Sequence, residues 1–400
     1  LQDRFPRFQL SSKTTGEPVW REPFMRSLTD YQRLIVNADI HTSMIIEAGP
    51  GSGKTLTMAY RIYRLLKAGV PPSSILILTF TNVAARELKE RVRVLYKDRT
   101  KTIANENFKT IHSFAFEILN LLSPYQKIFH HFPNCCSNIQ FNDMQNQLKL
   151  VKSAREQIKL ELTRKNRRSE KPNEPGNIDR YLHDASISDS QHREINESPK
   201  TESIQGDGDG GELRSEGNIQ MASFIKLRKN QILKRFCEHG RYSKAVSEIY
   251  QQNKMCPYEK AVFERYQQLL GKSFKIDYDD AIAYLYVTLK YKKTPAVKEI
   301  LHRCLKYIVI DECQDLSRLQ LELIKLLIGV HDSGNTTQVI AVGDRNQSIY
   351  SFRGGLGLQV FEELLRVGAD YPVEKYFLKE NFRSLQNIVA IANKLFPSSM

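Results

Sequence analysis

A glycine-rich segment after an apolar run is the feature that most constrains this chain. Residues 44–55 read Met-Ile-Ile-Glu-Ala-Gly-Pro-Gly-Ser-Gly-Lys-Thr, which predicts a strand, a phosphate-binding loop and the start of a helix. Such a loop wraps its backbone N–H groups around phosphates, and side chains would block that approach. Lys54 is predicted to reach the β- and γ-phosphates and Thr55 to hold Mg²⁺, beside the positive N-terminus of the helix. The predicted nucleotide-contacting residues of the loop are Gly49, Pro50, Gly51, Ser52, Gly53, Lys54 and Thr55.

Composition favours several domains and a polyanionic partner. The chain has 400 residues, 41% of them hydrophobic, which is enough to bury more than one core. A formal net charge of +14 suits nucleic acid or an anionic membrane face, and we favour nucleic acid. No apolar run approaches the roughly 20 residues that cross a bilayer, so no membrane partner is expected. The six cysteines lack ligand spacing, which predicts reduced thiols in an intracellular protein and no zinc site.

Strand-like and helix-like segments alternate from about residue 28 to 122, and strand-like segments return at 307–311, 338–343 and 376–378. This rhythm predicts an α/β fold with a parallel sheet covered by helices. The stretch between is helical in pattern, but residues 164–217 hold too few large apolar residues to fold, and we expect disorder there. The predicted divisions are an N-terminal extension at 1–27, an ATP-binding domain at 28–122 and 276–372, a helical insertion domain at 123–275, and a further segment at 373–400.

A second part of the nucleotide site is predicted where two later strands end. Residues 307–312 read Tyr-Ile-Val-Ile-Asp-Glu, an apolar strand that delivers two carboxylates to the edge where open α/β sheets bind ligands. Asp311 is placed to complete Mg²⁺ coordination, and Glu312 to orient or deprotonate the attacking water. Gln347 follows the next strand and could sense a γ-phosphate or position water. Tyr350 and Phe352 could stack on bases, each contact contributing roughly 1–3 kcal/mol, or could belong to the core.

In their order along the chain, these segments resemble the motifs of superfamily 1 DNA helicases of the UvrD/Rep/PcrA type. The resemblance covers nearly all of the chain outside the polar insertion and the first two dozen residues. It implies a RecA-like P-loop NTPase sheet with a helical insertion domain. Asp277-Tyr278-Asp279-Asp280 resembles the segment that leads from the insertion back to motif II. The segments that carry the likeness are 28–32 (Q motif), 48–55 (motif I), 79–88 (motif Ia), 110–114 (motif Ib), 311–315 (motif II), 343–354 (motif III) and 380–384 (motif IV).

The resemblance implies further residue roles, with ATP and Mg²⁺ as the nucleotide and its metal. Gln32 would read adenine and Phe382 would stack on it. Gln347 would couple the γ-phosphate to DNA, and Arg383 would act as an arginine finger. Arg61, on the helix after the loop, joins the nucleotide-contacting set. The residues implied to contact single-stranded DNA are Phe80, Asn82, Thr110, His112, Tyr350, Phe352 and Arg353.

Several positions depart from the family pattern. Ala48 stands in place of a usual glycine, and Cys313 in place of a bulky aromatic residue, where it is interpreted as a packing variant. Arg345-Asn346 replaces an acidic pair, and Phe352 replaces a common tryptophan. Motifs V and VI of the family's second RecA-like domain are not found before Met400. Residues 373–400 are therefore expected to begin that domain, and the chain as given to bind nucleotide weakly and hydrolyse it poorly.

The function implied is an ATP-dependent DNA helicase or translocase, moving 3′ to 5′ on single-stranded DNA and meeting duplex junctions. Open alternatives are a translocase that strips proteins without unwinding, an RNA helicase or nuclease-fused relative, a non-catalytic nucleic-acid-binding module and, remotely, a small-molecule kinase. The basic helix carrying Arg86, Lys89, Arg91 and Arg93 could track phosphates or be a solvated face. The polar insertion and the form of motif IV resemble a fungal mitochondrial branch, so mitochondrion or nucleus is expected. Protein partners are not indicated.

Overall fold

The computed structural model describes residues 28–95, 107–122, 140–168, 216–252, 256–273, 275–291, 301, 305–328, 337–348, 355–367 and 373–395. The helices are α1 Asp30–Asn37, α2 Lys54–Lys67, α3 Asn82–Leu95, α4 Ile111–Leu122, α5 Met144–Arg168, α6 Glu216–His239, α7 Tyr242–Gln252, α8 Pro257–Lys272, α9 Tyr278–Tyr291, α10 Arg318–Ile328, α11 Leu358–Val367 and α12 Gln386–Leu395, with short 3₁₀ turns at Pro72–Ser74 and Cys313–Asp315. The strands are β1 Ser43–Ala48, β2 Ile75–Thr79, β3 Phe108–Thr110, β4 Gln140–Phe141, β5 Lys275–Ile276, β6 Tyr307–Ile310, β7 Gln338–Gly343 and β8 Val373–Leu378.

The chain divides into two compact units. Unit 1 comprises Leu1–Phe116 and Thr288–Met400, and unit 2 comprises Glu117–Val287. These divisions fall inside α4 and α9, six residues before the predicted boundary at 122 and twelve residues after the one at 275. No helix in the described part of the chain is long and apolar enough to cross a membrane.

Unit 1 is built on a six-stranded parallel sheet in the order β3-β2-β6-β7-β1-β8. Its central strands are continuous apolar runs because both faces of the sheet are covered, as parallel sheets require. On one face, alternate residues such as Met44, Ile77 and Val309 pack with α2 and α3 in a common core. The predicted α/β fold with a parallel sheet is confirmed, while the three-residue strand β3 has no clear sequence signal.

Unit 2 is mainly helical. Helix α8 packs against α5, and α6 packs against α7 and α5. The two-residue strands β4 and β5 pair in parallel, and Phe141 stacks on Tyr278 with ring centroids 4.4 Å apart. The short β4–β5 pair was not expected in a segment predicted to be helical.

Two sequence-based assignments need correction. The predicted disordered segment 164–217 begins inside α5, which continues to Arg168, and ends inside α6, which starts at Glu216. The intervening residues lie outside the described ranges. Residues 373–378 were assigned to a second domain, but β8 pairs with β1 over six residues, from Ser43–Val373 to Ala48–Leu378. The strand therefore completes the edge of the first sheet, because its backbone finds its partners there.

Candidate nucleotide-binding site

The predicted site residues converge on one edge of the unit 1 sheet. All strand pairs in that sheet are parallel, so the carboxyl ends of the strands meet at this edge. The glycine-rich loop follows β1, Asp311 follows β6, and Asp344 follows β7. Because β7 lies between β1 and β6, the groups predicted to act on phosphate, metal and water come from neighbouring strand ends. Ligands of open α/β sheets bind at such an edge.

The loop itself depends on glycine at two positions. Gly51 and Gly53 have φ of 70° and 79°, in the left-handed region where other residues are strained. A Cβ at Gly51 would lie 2.6 Å from Cβ of Arg383, and one at Gly53 would lie 2.7 Å from Nε2 of Gln32. The hydroxyl of Ser52 donates to the carbonyl of Gly49 at 2.7 Å and closes the turn. Lys54 and Thr55 then begin α2 as half-buried residues.

Helix α1 brings Gln32 against the loop. Thr29 and Gln32 form a capping box at the start of the helix, in which Oε1 of Gln32 accepts from the Thr29 N–H at 3.1 Å. Nε2 of the same side chain donates to the carbonyl of Ser52 at 3.3 Å. The residue predicted to read adenine is therefore buried and held beside the loop through both ends of its amide.

Arg61 does not join this group, contrary to the sequence-based expectation. Its side chain is fully buried. The guanidinium donates to the carbonyl oxygens of Ala38 at 2.5 Å and Asp39 at 2.6 Å, at the C-terminal end of α1. Burial lowers the pKa of Arg61 to about 10. The cation meets the negative end of a helix and fixes that helix in place.

The two acidic residues after β6 have different environments. Asp311 is 6% exposed, and burial, with Glu312 next to it, raises its pKa to about 7. Within the described residues no basic side chain forms an ion pair with Asp311. Glu312 is half-buried and has φ of 51° and ψ of 49°, the one left-handed non-glycine conformation in the described ranges. That conformation costs about 1–2 kcal/mol and signals a position that the surroundings impose.

The turn after β7 holds the predicted phosphate sensor. Asp344 is buried, and burial raises its pKa. Its carboxylate accepts from the backbone N–H of Asn346 at 2.9 Å and from Nε2 of Gln347 at 2.8 Å. Gln347 is therefore fixed by Asp344, with one N–H of its amide engaged by that carboxylate.

Arg345, which departs from the family pattern, has a definite partner. Its guanidinium pairs with Glu47 on β1, and the ammonium of Lys375 on β8 lies 2.7 Å from the same carboxylate. The contact ties the turn after β7 to the strand that leads into the phosphate loop. The departure therefore creates an ion pair and leaves Gln347 in place.

The segment after β8 contacts the phosphate loop through its backbone and one amide. Nδ2 of Asn381 donates to the carbonyl of Pro50 at 2.7 Å, and the Phe382 N–H donates to the carbonyl of Gly51 at 2.9 Å. The side chains of Phe382 and Arg383, predicted to stack on adenine and to act as an arginine finger, are exposed to solvent. Their backbone lies beside the loop.

Four of the residues predicted to contact DNA lie at or just after the ends of β2 and β3, at the end of the sheet away from the phosphate loop. Phe80 follows β2, and Thr110 ends β3 directly opposite Thr79 in the register. The Thr110 hydroxyl accepts from the N–H of Ser113 at 3.2 Å and so caps α4, where His112 is half-buried. Asn82 is exposed at the start of α3. β1 and β2 are separated by two strands, which places their ends about 14 Å apart. The remaining three, Tyr350, Phe352 and Arg353, lie outside the described residues.

The basic helix α3 carries its own counter-charges. Arg91 donates to Glu87 at 2.8 Å, and Arg93 donates to Glu90 at 3.0 Å, both as exposed pairs. Two of its four basic residues are therefore neutralised locally. This favours the solvated-face interpretation over a track for phosphates.

Three polar residues without a predicted role hold the site together: Gln314, Asp344 and Asn381. Each lies inside a segment that carried the family likeness. Its position in that segment was the sequence signal that could have identified it. Gln314 bonds to nearby Glu312, but its bond to the Asp344 N–H and the bond of Asn381 to the Pro50 carbonyl join residues far apart in the chain. Such partners are set by the fold and have no local sequence pattern.

The site suits a phosphate chain and a divalent cation. Gly53 precedes α2 and offers no side chain to cap it, which leaves the helix N-terminus for an anion. Asp311 is a buried carboxylate that a cation would stabilise. The fold and this edge define a P-loop NTPase of the RecA-like α/β type.

Comparison with known proteins identifies the family. Residues 28–363 match the UvrD/REP helicase N-terminal domain, and the chain belongs to that family. It is 26% identical over 359 residues to ATP-dependent DNA helicase PcrA of Staphylococcus aureus and 27% identical over 359 residues to that of Bacillus subtilis. It is 25% identical over 375 residues to DNA helicase II of Haemophilus influenzae. These alignments cover 89% to 93% of this chain and 38% to 40% of the relatives, so the chain spans about two fifths of their length.

Proposed function

We propose that this protein is an ATP-dependent DNA helicase that translocates 3′ to 5′ on single-stranded DNA. The observation that carries the proposal is the convergence of the glycine-rich loop, the Asp311–Glu312 pair and the Gln347 turn on three adjacent strand ends. The relatives are an ATP-dependent DNA helicase PcrA and a DNA helicase II, and these names support ATP and DNA as the substrates. The polarity is supported by the family resemblance alone.

In this proposal the chain's own residues divide the work of hydrolysis. The backbone N–H groups of the loop and Lys54 would bind the phosphates, and Thr55 and Asp311 would hold Mg²⁺, which neutralises charge on the phosphates. Glu312 would orient the attacking water and accept its proton. Gln347 would sense the γ-phosphate, and Arg383 would stabilise charge on the transferring phosphoryl group.

The DNA side of the proposal uses the β2–β3 end of the same edge. Phe80 would stack on a base, and Thr110 and His112 would face the phosphate backbone. The carboxylates after β6 lie between this end and the phosphate loop. Rearrangement of the turns after β6 and β7 is therefore a short route from nucleotide state to DNA contact.

The test is the ATPase rate of the full-length protein with and without single-stranded DNA. We expect strong stimulation by DNA, and a fall of about 100-fold or more for Lys54→Ala, because a cation aimed at the transferring group is lost. Lys67→Ala, an exposed lysine at the other end of α2, is the matched control and should hydrolyse ATP normally.

Other outcomes separate the alternatives. Nucleotide binding without DNA stimulation would overturn the DNA motor and favour RNA or a non-catalytic module. DNA stimulation without strand separation would favour a translocase that strips proteins.

We also propose that the protein belongs to a eukaryotic, fungal mitochondrial branch of the family, with a mitochondrial or nuclear location. The polar insertion and the form of motif IV support this proposal. Fluorescence imaging of the tagged full-length protein would test the location.

A further inference from the structure

Gln314 links the two strand ends at the centre of the site. It lies in the 3₁₀ turn that follows Glu312 and is 1% exposed. Its Nε2 donates to Oε2 of Glu312 at 2.9 Å. Its Oε1 accepts from the backbone N–H of Asp344 at 3.0 Å. One side chain thus holds the carboxylate after β6 and the backbone of the turn after β7.

The end of β7 is shaped to admit this side chain. A Cβ at Gly343 would collide with Oε1 of Gln314 and would lie 2.8 Å from Sγ of Cys313. Real Cβ atoms do not approach other atoms so closely, so glycine is required for the bond between Gln314 and Asp344. The backbone of Gln314 is held as well, because its carbonyl accepts from the Gly357 N–H at 3.1 Å.

The bonds continue from Asp344 to the predicted sensor. The carboxylate of Asp344 accepts from Nε2 of Gln347 at 2.8 Å. Three hydrogen bonds therefore connect Glu312 to Gln347 through Gln314 and Asp344. Glu312 has a left-handed backbone that its surroundings must impose. The bond from Gln314 holds the carboxylate of Glu312 in place on this unusual backbone.

We propose that Gln314 is a positioning residue that sets the Glu312 carboxylate and the Gln347 turn relative to each other, so that base and sensor act as one unit. The inference rests on the proposed function, since it assigns a role within ATP hydrolysis. It adds a residue to which the family resemblance gave no role.

The chemistry of the site explains why glutamine is suited to this position. The position needs a donor toward Glu312 and an acceptor toward Asp344, and an uncharged amide provides both. A basic residue would neutralise Glu312, and a carboxylate would add a further charge to a group that already contains Asp311, Asp315 and Asp344. Methionine fills a similar volume and offers neither bond.

The first experiment measures steady-state ATP hydrolysis by the full-length protein carrying Gln314→Met or Gln314→Glu. We expect kcat to fall about 10- to 100-fold because a misplaced base loses its alignment with the water. The KM for ATP and the Kd for a fluorescent ADP should change by less than roughly threefold, since the hydrogen bonds of Gln314 run to Glu312, Asp344 and Gly357, outside the loop. If Gln314→Met fails to fold, Gln314→Glu, which keeps the volume and the acceptor, carries the test.

The matched control is Gln320→Met. Gln320 is also a buried glutamine, but its Oε1 accepts from the Ser317 N–H at 2.9 Å in a helix-capping box that does not include Glu312. We expect kcat of this variant to stay near that of wild type. Equal falls of kcat in the Gln314 and Gln320 variants would mean that both act through folding alone, which would overturn the proposal.

A double-mutant cycle tests whether the residues act as one unit. We expect the fall in kcat of the Gln314→Met, Gln347→Ala double variant to be smaller than the product of the two single falls, because each substitution removes part of the same linked unit. The same cycle with Gln320→Met should be additive. Additive effects of Gln314 and Gln347 would overturn the link. A wild-type ATPase rate no higher than that of Lys54→Ala would instead overturn the proposed function. The two failures are therefore distinguishable.

Discussion

The two units bury carboxylates in opposite ways. In unit 2, the ammonium of Lys229 lies between Asp277 and Asp280, 2.6 Å from the latter, and all three side chains are largely buried. In unit 1, Asp311 and Asp344 are equally buried at the sheet edge, yet no described basic side chain pairs with either. The unit 2 carboxylates thus have a cationic partner within the protein, whereas Asp311 and Asp344 have none among the described residues and could receive one from a bound ligand.

The unit 2 cluster is also satisfied by neutral donors. Asp277 accepts from Nδ2 of Asn142 at 2.8 Å and from the hydroxyl of Tyr266 at 3.1 Å. Burial alone would lower the pKa of Lys229, but the two carboxylates outweigh burial and raise it. Burial raises the pKa of Asp280, and the neighbouring Asp277 carboxylate adds to that rise, whereas Lys229 opposes it. The cluster joins α6, α8, α9 and the residues before α5, which makes it a fixed part of the unit 2 core.

Unpaired buried carboxylates at a strand edge therefore mark the functional site better than burial of charge does. Both clusters contain raised carboxylate pKa values, so titration alone does not separate them. The separating feature is the partner. In unit 2 the partner is an internal lysine, and in unit 1 it would be a cation brought by the nucleotide.

The largest expected effect comes from removing the internal partner. Lys229→Met keeps most of the side-chain volume but leaves Asp277 and Asp280 buried without their cation. We expect the free energy of unfolding of unit 2 to fall by about 3–5 kcal/mol, the usual loss when one partner of a buried ion pair is removed. Hydrogen exchange of the α6 and α9 amides measures the change.

Two further variants make this prediction specific. Lys226→Met, an exposed lysine on the same helix, should leave exchange within about 0.5 kcal/mol of wild type. Adding Asp277→Asn and Asp280→Asn to Lys229→Met should recover part of the loss, because no unpaired charge is then buried. A stability loss for Lys229→Met no larger than that for Lys226→Met would contradict the comparison.

A smaller effect of opposite sign is expected at the sheet edge. Asp311→Asn removes a buried charge without removing an internal partner, and Oδ1 of asparagine can still accept from the Glu312 N–H, as Asp311 does at 3.0 Å. Without Mg²⁺ at pH 8, we expect unit 1 to become about 1–3 kcal/mol more stable. Magnesium-dependent nucleotide binding should be lost. Hydrogen exchange of the β6 amides and titration with a fluorescent ADP are the two measurements.

The pH dependence of this gain follows from the pKa of Asp311. The folded value, about 7, lies above the ordinary value, so the protonated form is favoured by folding. Its contribution is complete below about pH 4 and is lost as the pH rises through 7. The advantage of Asp311→Asn over wild type should therefore be small at pH 4 and full at pH 8. An equal advantage at both pH values would show that the charge of Asp311 is not its source.

The same contrast shows what the sequence could predict. The phosphate loop, the strand before Asp311 and the order of the strand-like segments have local patterns, and those predictions agree with the fold. The role of Arg61 depends on the end of a helix more than twenty residues earlier. Lys229 meets Asp277 from a helix about fifty residues away, and β8 finds β1 from the far end of the chain. Such pairings are decided by tertiary packing, which leaves no mark on local periodicity.

The smallest expected effect concerns charge pairs that are neither buried nor at the edge. Arg91 and Glu87 pair across one turn of α3, and both side chains are about half exposed. Exposed pairs of this kind contribute roughly 0.3–0.5 kcal/mol, because water screens them. We expect Arg91→Ala to change the stability of unit 1 by no more than that. DNA affinity of the full-length protein and its salt dependence should also stay near wild type, since the arginine is already paired. A clear fall in the slope of log Kd against log salt would instead show that Arg91 leaves Glu87 to bind a phosphate, and α3 would then belong to the DNA-binding surface.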